Sequence, residues 1–296
     1  MKIFKADFEN WQIECIPEDG ARISVLKYAG MDLLTACPPS FNPPEKFYGE
    51  YETRPVYGYD DCFPTVDPCF DPEDNFTYRD HGEICWTEWK VNADENNLYC
   101  AADCIIPRVV FKRTLKFCRN KLTWKFEVLN KSGKKISFLH VMHALMPLEN
   151  VQFIKVPGFA ETLDEIKSHL CHHKDSHELV QHLLGVKKGT FEMLLLRDID
   201  NGSVKIGFMT GITLKINFDS KLFPTLGIWW NNSGYPDENG LQRCECAFEP
   251  IPGLYSNLSK SYKKGRYLSA DPEETLCWDI DWVIEQNING NYATNS

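Results

Sequence analysis

Apolar residues recur at every second position through much of this chain. Leu122, Trp124, Phe126 and Val128 alternate with Thr123, Lys125 and Glu127. That spacing sends the apolar set to one face of a strand. Just before it, Leu115 and Phe117 alternate with Thr114 and Lys116, and Arg119-Asn120-Lys121 supplies a turn, so the two runs read as a hairpin. The period returns at Val204, Ile206 and Phe208, at Leu214, Ile216 and Phe218, and at Leu276, Trp278, Ile280, Trp282 and Ile284. Many short strands separated by turn residues point to an all-β sandwich.

One stretch breaks the period. In residues 161–186, Leu163, Ile166 and Leu170, then Leu179, Leu183 and Leu184, fall at helical spacing, which predicts one short helical insertion. Residues 37–55 hold five prolines and predict an irregular loop, because proline cannot donate to a sheet ladder. The polar end of the chain, from Gln286 onward, is expected to fray. With no internal repeat and no long linker, a single domain over residues 1–296 is expected, large enough for a substantial core.

Charge and cysteine content narrow the function classes. The 32 basic and 42 acidic residues give a net charge of −10, which argues against a broad phosphate-tracking surface and so against a nucleic-acid partner. No apolar run approaches the ~20 residues that cross a bilayer. Charges at Lys2, Lys5 and Asp7 come too early for a signal peptide, so a cytoplasmic protein is expected. The twelve cysteines form no paired CxxC motifs and read as reduced, buried small hydrophobes.

Four segments carry residues able to do chemistry. Tyr57-Gly58-Tyr59-Asp60-Asp61-Cys62-Phe63-Pro64 joins an aromatic-glycine turn to paired carboxylates, and Arg79-Asp80-His81-Gly82-Glu83 sets a histidine before a glycine. His140 and His143 lie three apart in an apolar run, on opposite faces if the run is a strand, so one of them at most need face a cleft. Glu249-Pro250 closes another apolar run. His169, His172, His173, His177 and His182 include i, i+4 pairs able to bind metal on a helix. Without HExxH or a cysteine partner at finger spacing, they read as a solvated helical face, and no metal ligand is assigned. Trp86, Trp89, Trp229 and Trp230 flank these segments, where core packing and stacking on the flat apolar face of a ligand both fit.

Taken in order, these segments resemble the aldose 1-epimerases of the galactose mutarotase-like superfamily. Gly20-Ala21-Arg22-Ile23 followed by Gly30-Met31-Asp32-Leu33-Leu34 is similar to the family's opening strand and hairpin. The aromatic-Gly and Phe63-Pro64 motif comes next, then Asp80-His81-Gly82, the histidine in an apolar strand, Leu226-Gly227-Ile228-Trp229 and Glu249-Pro250. The similarity spans residues 12–285. It implies a large antiparallel β-sandwich with a sugar-binding cleft on a concave face, and interconversion of the α and β anomers of a free aldose without a cofactor. By position it makes Glu249 the base that takes the anomeric proton and His143 the acid that protonates the ring oxygen. It places His81, Arg54 and Trp229 at the sugar, with Asp198 as a further hydroxyl-binding carboxylate. The implied partner is a small sugar, and a homodimer stays open.

The residue types suit that reaction independently. Ring opening needs one proton acceptor and one donor acting together, and carboxylate and imidazole can hold opposite protonation states near neutrality. Three other readings remain. Relatives acting on hexose 6-phosphates often carry arginine after the His-Gly pair, where this chain has Glu83-Ile84-Cys85-Trp86; Arg54 keeps a phosphosugar open. The fold could also bind a carbohydrate without catalysis. A glycosidase pairing Asp60 with Glu249 would need the carboxyls about 5–5.5 Å or 6.5–9.5 Å apart.

Overall fold

In the computed structural model, which describes residues 2–44, 49–235 and 243–286, the alternating runs pair into an eight-stranded antiparallel sheet. At its centre, Lys121–Asn130 lies between Val109–Cys118 and Thr275–Gln286. The register sets Leu122 against Trp282, Trp124 against Ile280 and Phe126 against Trp278. Leu122, Trp124, Phe126 and Val128 are completely buried. Burying such side chains contributes roughly 1.5–3 kcal/mol each, which is why the period-two pattern dictates which face turns inward.

Two further six-stranded sheets cover that face. One runs Phe4–Phe8, Trp11–Ile16, Arg22–Tyr28, Tyr59–Cys62 and Val141–Ala144, with Met31–Asp32 paired to its third strand. The other runs Met146–Pro147, Cys244–Ile251, Thr225–Asn232, Thr190–Arg197, Glu161–Asp164 and His169–Cys171. Val141–Ala144 packs beside Cys244–Ile251, so the two sheets meet along that line. Each strand there offers one row to the core (Met142 and Ala144, Cys246 and Phe248) and the alternate row to the opposite face. The all-β expectation therefore holds, at 49% strand.

The predicted helical insertion is corrected in its first half. Glu161–Asp164 and His169–Cys171 are paired strands in which Leu163 faces Leu170 across the ladder, and only Ser176–Leu184 is helical. Leucines seven apart satisfy both a helix face and a short hairpin, so spacing alone could not separate the two. The helix is N-capped by Asp175, whose side chain accepts from the Glu178 amide, and buries Leu179 and Leu183. The histidines are accordingly dispersed: His169 lies on a strand, His172 and His173 precede the helix, and His177 and His182 lie on it. Residues 37–55 are irregular where described, apart from one 3-10 turn at Tyr51–Thr53. The polar tail beyond Gln286 lies outside the described residues. Seven cysteines are buried, as expected of small hydrophobes, while Cys37, Cys118 and Cys277 are exposed. Among the described residues no helix is long and apolar enough to cross a membrane.

Candidate active site

The face turned away from the eight-stranded sheet forms a cleft of about 1110 Å³. His143, Glu249, Trp229, Met193 and Phe191 reach it from four neighbouring strands, and His81 enters from a loop. Glu249 shares its row with Glu245 and Ala247, while Cys246 and Phe248 point to the core. Its cross-strand neighbour is Gly227, where a Cβ would meet the Glu249 Cβ at 3.3 Å. The missing side chain leaves space above the carboxyl.

The loop holding His81 is fastened on both sides. The His81 amide donates to Val66 O at 2.7 Å and the Glu83 amide to Phe63 O at 2.7 Å. His81 itself has φ +60°, a left-handed conformation that a histidine adopts only when its surroundings impose it. Gly82 follows with φ +75°, and a Cβ there would collide with Phe63 O at 2.1 Å. The histidine-glycine pair is thus a backbone requirement as well as a chemical one.

Each cleft histidine is backed by a carboxylate. His81 Nδ1 lies 2.9 Å from Asp80 Oδ1, and His143 Nδ1 lies 3.0 Å from Asp60 Oδ1. Asp60 is almost fully buried and also accepts from Arg22 at 2.9 Å, Arg54 at 3.1 Å and the Tyr51 hydroxyl at 2.6 Å. Tyr51 ties the pairs together: its ring stacks on His81 with centroids 3.7 Å apart, and its hydroxyl lies 3.3 Å from His143 Nδ1.

These contacts separate the protonation states. Burial lowers the His143 pKa, and the opposing pull of Asp60 does not restore it. At His81 burial acts in the same direction, but Asp80, with Glu52 and Asp60 behind it, outweighs burial and raises the pKa to about 9. Burial raises Glu249 to about 8, helped by Glu165, Asp60 and Asp67 and opposed by His81. Burial alone would also raise Asp60, but Arg22 and His143 hold it below the usual carboxylate range. Divergent values of this kind within one cleft mark acid and base partners.

Of the residues singled out from sequence, His81, His143, Glu249 and Trp229 meet in the cleft. Trp229 donates its indole N–H to Glu245 Oε1 at 3.2 Å and stands among Phe191 and Tyr235. Arg54 does not line the cleft. It lies behind the wall, bonded to Asp60, Asp19 and Cys85 O and stacked on Tyr51 and Trp86. Asp198 is exposed at φ +49° just after the Thr190–Arg197 strand and is not among the residues that line the cleft. Asp60 is sealed by its four partners, leaving no Asp60–Glu249 carboxylate pair open to a glycosidic bond. Cys62, His81 and His143 could hold a metal, each offering one ligand atom within 4.8 Å of the others. The same is true of Asp164, His169 and Cys171 at the hairpin. Tyr51, Asp67 and Glu165 were not picked out from the sequence; a tyrosine in a proline-rich loop and a glutamate in a presumed helix carry no local signal of a cleft.

The same arrangement of sheets recurs among solved structures. The Slr1438 protein of Synechocystis sp. PCC 6803 superposes with a TM-score of 0.73 at 13% identity, covering 96% of each chain. A candidate aldose 1-epimerase from Escherichia coli K12 gives 0.72 at 12% identity, covering 96% of this chain and 99% of the other. A galactose mutarotase related enzyme from Lactobacillus acidophilus gives 0.66 at 14%, covering 96% and 98%. The chain has the galactose mutarotase-like fold. No family model and no curated protein matches the sequence. Identities this low carry the fold and leave the activity to the side chains.

Proposed function

We propose that the protein interconverts the α and β anomers of an unphosphorylated aldose, with Glu249 as base and His81 as acid. The observation carrying this reading is a buried carboxyl without a hydrogen-bond partner among the described residues, sharing a cleft with an imidazole that Asp80 keeps charged. Glu249 takes the proton from the anomeric hydroxyl. His81 gives its proton to the ring oxygen as the bond from C1 to that oxygen breaks and the carbonyl forms. Rotation about C1–C2 presents the other carbonyl face, and closure reverses both transfers. Each proton transfer supplies roughly 10²–10⁴-fold.

The reading moves the acid from His143, where sequence position put it, to His81. His143 is the less basic ring and faces Asp60 through Nδ1, which suits it to orienting a sugar hydroxyl. Charge supports a sugar without phosphate: Arg54 is behind the wall, while Arg79 pairs with Glu83 and Arg243 with Glu245.

Saturation-transfer NMR on a panel of aldoses reads the exchange directly. Acceleration that disappears in Glu249→Gln is the expected result. Binding without acceleration would select a non-catalytic carbohydrate-binding protein instead.

A further inference from the structure

Two side chains of the proposed machinery and one that it leaves unused stand close enough to share an ion. Cys62 Sγ and one ring nitrogen from each of His81 and His143 all lie within 4.8 Å of one another. The sheet brings two of them together. Asp60 and Cys62 leave Tyr59–Cys62 on the same side, and that strand pairs with Val141–Ala144 so that His143 stands opposite Asp60 and diagonal to Cys62. A tetrahedral zinc with bonds of about 2.0–2.3 Å needs its ligands about 3.3–3.6 Å apart. The three atoms therefore have to close by no more than about 1.5 Å, which side-chain rotation can supply.

Both rings are also held in the way metal-binding imidazoles are. Asp80 engages Nδ1 of His81 at 2.9 Å and Asp60 engages Nδ1 of His143 at 3.0 Å. Each Nε2 is left without a hydrogen-bond partner among the described residues. A carboxylate on one ring nitrogen fixes the orientation of the imidazole and makes the other a better ligand. Asp60 is in turn held by Arg22, Arg54 and Tyr51, so the layer behind His143 is complete. The trio at the hairpin, Asp164, His169 and Cys171, lacks this support. Asp164 already accepts from the amide and the ammonium of Lys167, and among the described residues no carboxylate is hydrogen-bonded to His169.

We propose that His81, His143 and Cys62 bind a zinc ion, which shuts off anomer exchange by occupying the nitrogen from which His81 gives its proton. Two imidazoles and a thiolate are a zinc-type donor set, and the cleft onto which both rings open leaves the fourth position to water. Binding exchanges protons for metal. As the Zn–S and Zn–N bonds form, the thiol proton of Cys62 and the Nε2 proton of His81 pass to solvent. The binding stands by itself; only the inhibition rests on the anomerisation reading.

Cobalt(II) added to the EDTA-treated protein reports the site directly, because a thiolate ligand gives a charge-transfer band that imidazole and carboxylate do not. One cobalt per chain showing that band, and displaced by zinc, is expected. Cys62→Ser and Cys62→Ala should each remove the band and weaken zinc by at least about tenfold, the lower bound for losing even an outer-shell partner. Anomer exchange should fall as zinc fills the site and recover with EDTA. Both Cys62 variants should resist zinc while exchanging at the wild-type rate without it. A band or an inhibition that survives both variants, or no one-to-one complex with either metal, overturns the proposal; loss of the band in Cys171→Ser instead would move the metal to the hairpin. If no sugar is exchanged, the anomerisation reading fails, and the cobalt spectra of the Cys62 variants still decide the zinc site.

Discussion

Asp60 and Asp61 are neighbours on one strand, and each holds a histidine and an arginine. Asp61 pairs with Arg113 and with His140 at 3.0 Å, accepts from the Tyr59 hydroxyl, and faces the core. Its histidine is enclosed by Phe126, Phe111 and Trp278 at ring separations of 4.4–5.3 Å. Asp60 pairs with Arg22 and with His143 at 3.0 Å and turns to the opposite face, where His143 reaches the cleft. The two constellations have nearly the same chemistry. One is sealed between sheets and can only hold them together; the other leaves a ring nitrogen open to a ligand. The pleat alone decides which is which, because successive side chains leave a strand on opposite faces.

Substitutions on the two sides should separate function from stability. The largest effect is expected at His81: asparagine tolerates its left-handed backbone, so His81→Asn should keep the fold while lowering anomer exchange about 10²–10⁴-fold. A rate within tenfold of wild type would return the acid role to His143. On the core side, Asp61→Ala leaves the guanidinium of Arg113 buried without its carboxylate. A loss of about 3–5 kcal/mol in urea denaturation is expected, and a loss below about 1 kcal/mol would erase the distinction between the two pairs. Tyr51→Phe keeps the ring on His81 and deletes one donor to Asp60, which should cost about 1–3 kcal/mol. Its exchange rate should fall less than that of His81→Asn; an equal fall would put the Tyr51 hydroxyl into the chemistry itself.

Acid should act on both pairs in the same direction, and more gently. Burial would raise Asp60 and Asp61, but Arg22 with His143 and Arg113 with His140 hold both below the ordinary aspartate value. Their contribution is therefore complete above the unfolded value of about 3.9 and declines as pH falls through the folded ones. Urea midpoints should drop as pH falls below about that value, a drop that Asp61→Ala should lessen.

Much of this was legible in the sequence, for a physical reason. Strict alternation at Leu122–Val128 and Leu276–Ile284 admits only one burial pattern, and His140 and His143 do face opposite ways, although His140 lies just before the strand Val141–Ala144. The histidine before Gly82 and the glutamate before Pro250 stand at chain positions that the fold brings together. What escaped depends on contacts distant in sequence. Leu163 and Leu170 are seven apart on a helix face and directly opposed in a hairpin, and only the strand Thr190–Arg197 beside them decides. Arg54 looked like a sugar ligand because nothing local reveals that Asp60 claims its guanidinium. The acid assignment moved to His81 because Asp80, its neighbour in the chain, keeps that ring charged, whereas burial dominates at His143.

The most direct test of acid–base action in the cleft is the pH dependence of kcat/KM for anomer exchange of a neutral aldose, which reports the free enzyme's essential groups. Glu249 acts when deprotonated, so the rate should rise as pH passes about 8. His81 acts when protonated, so the rate should fall as pH passes about 9. A narrow bell on the alkaline side of neutrality, with the rate lost in Glu249→Gln, is the predicted result. A flat profile, or a bell centred below neutrality, would contradict the assignment of Glu249 and His81.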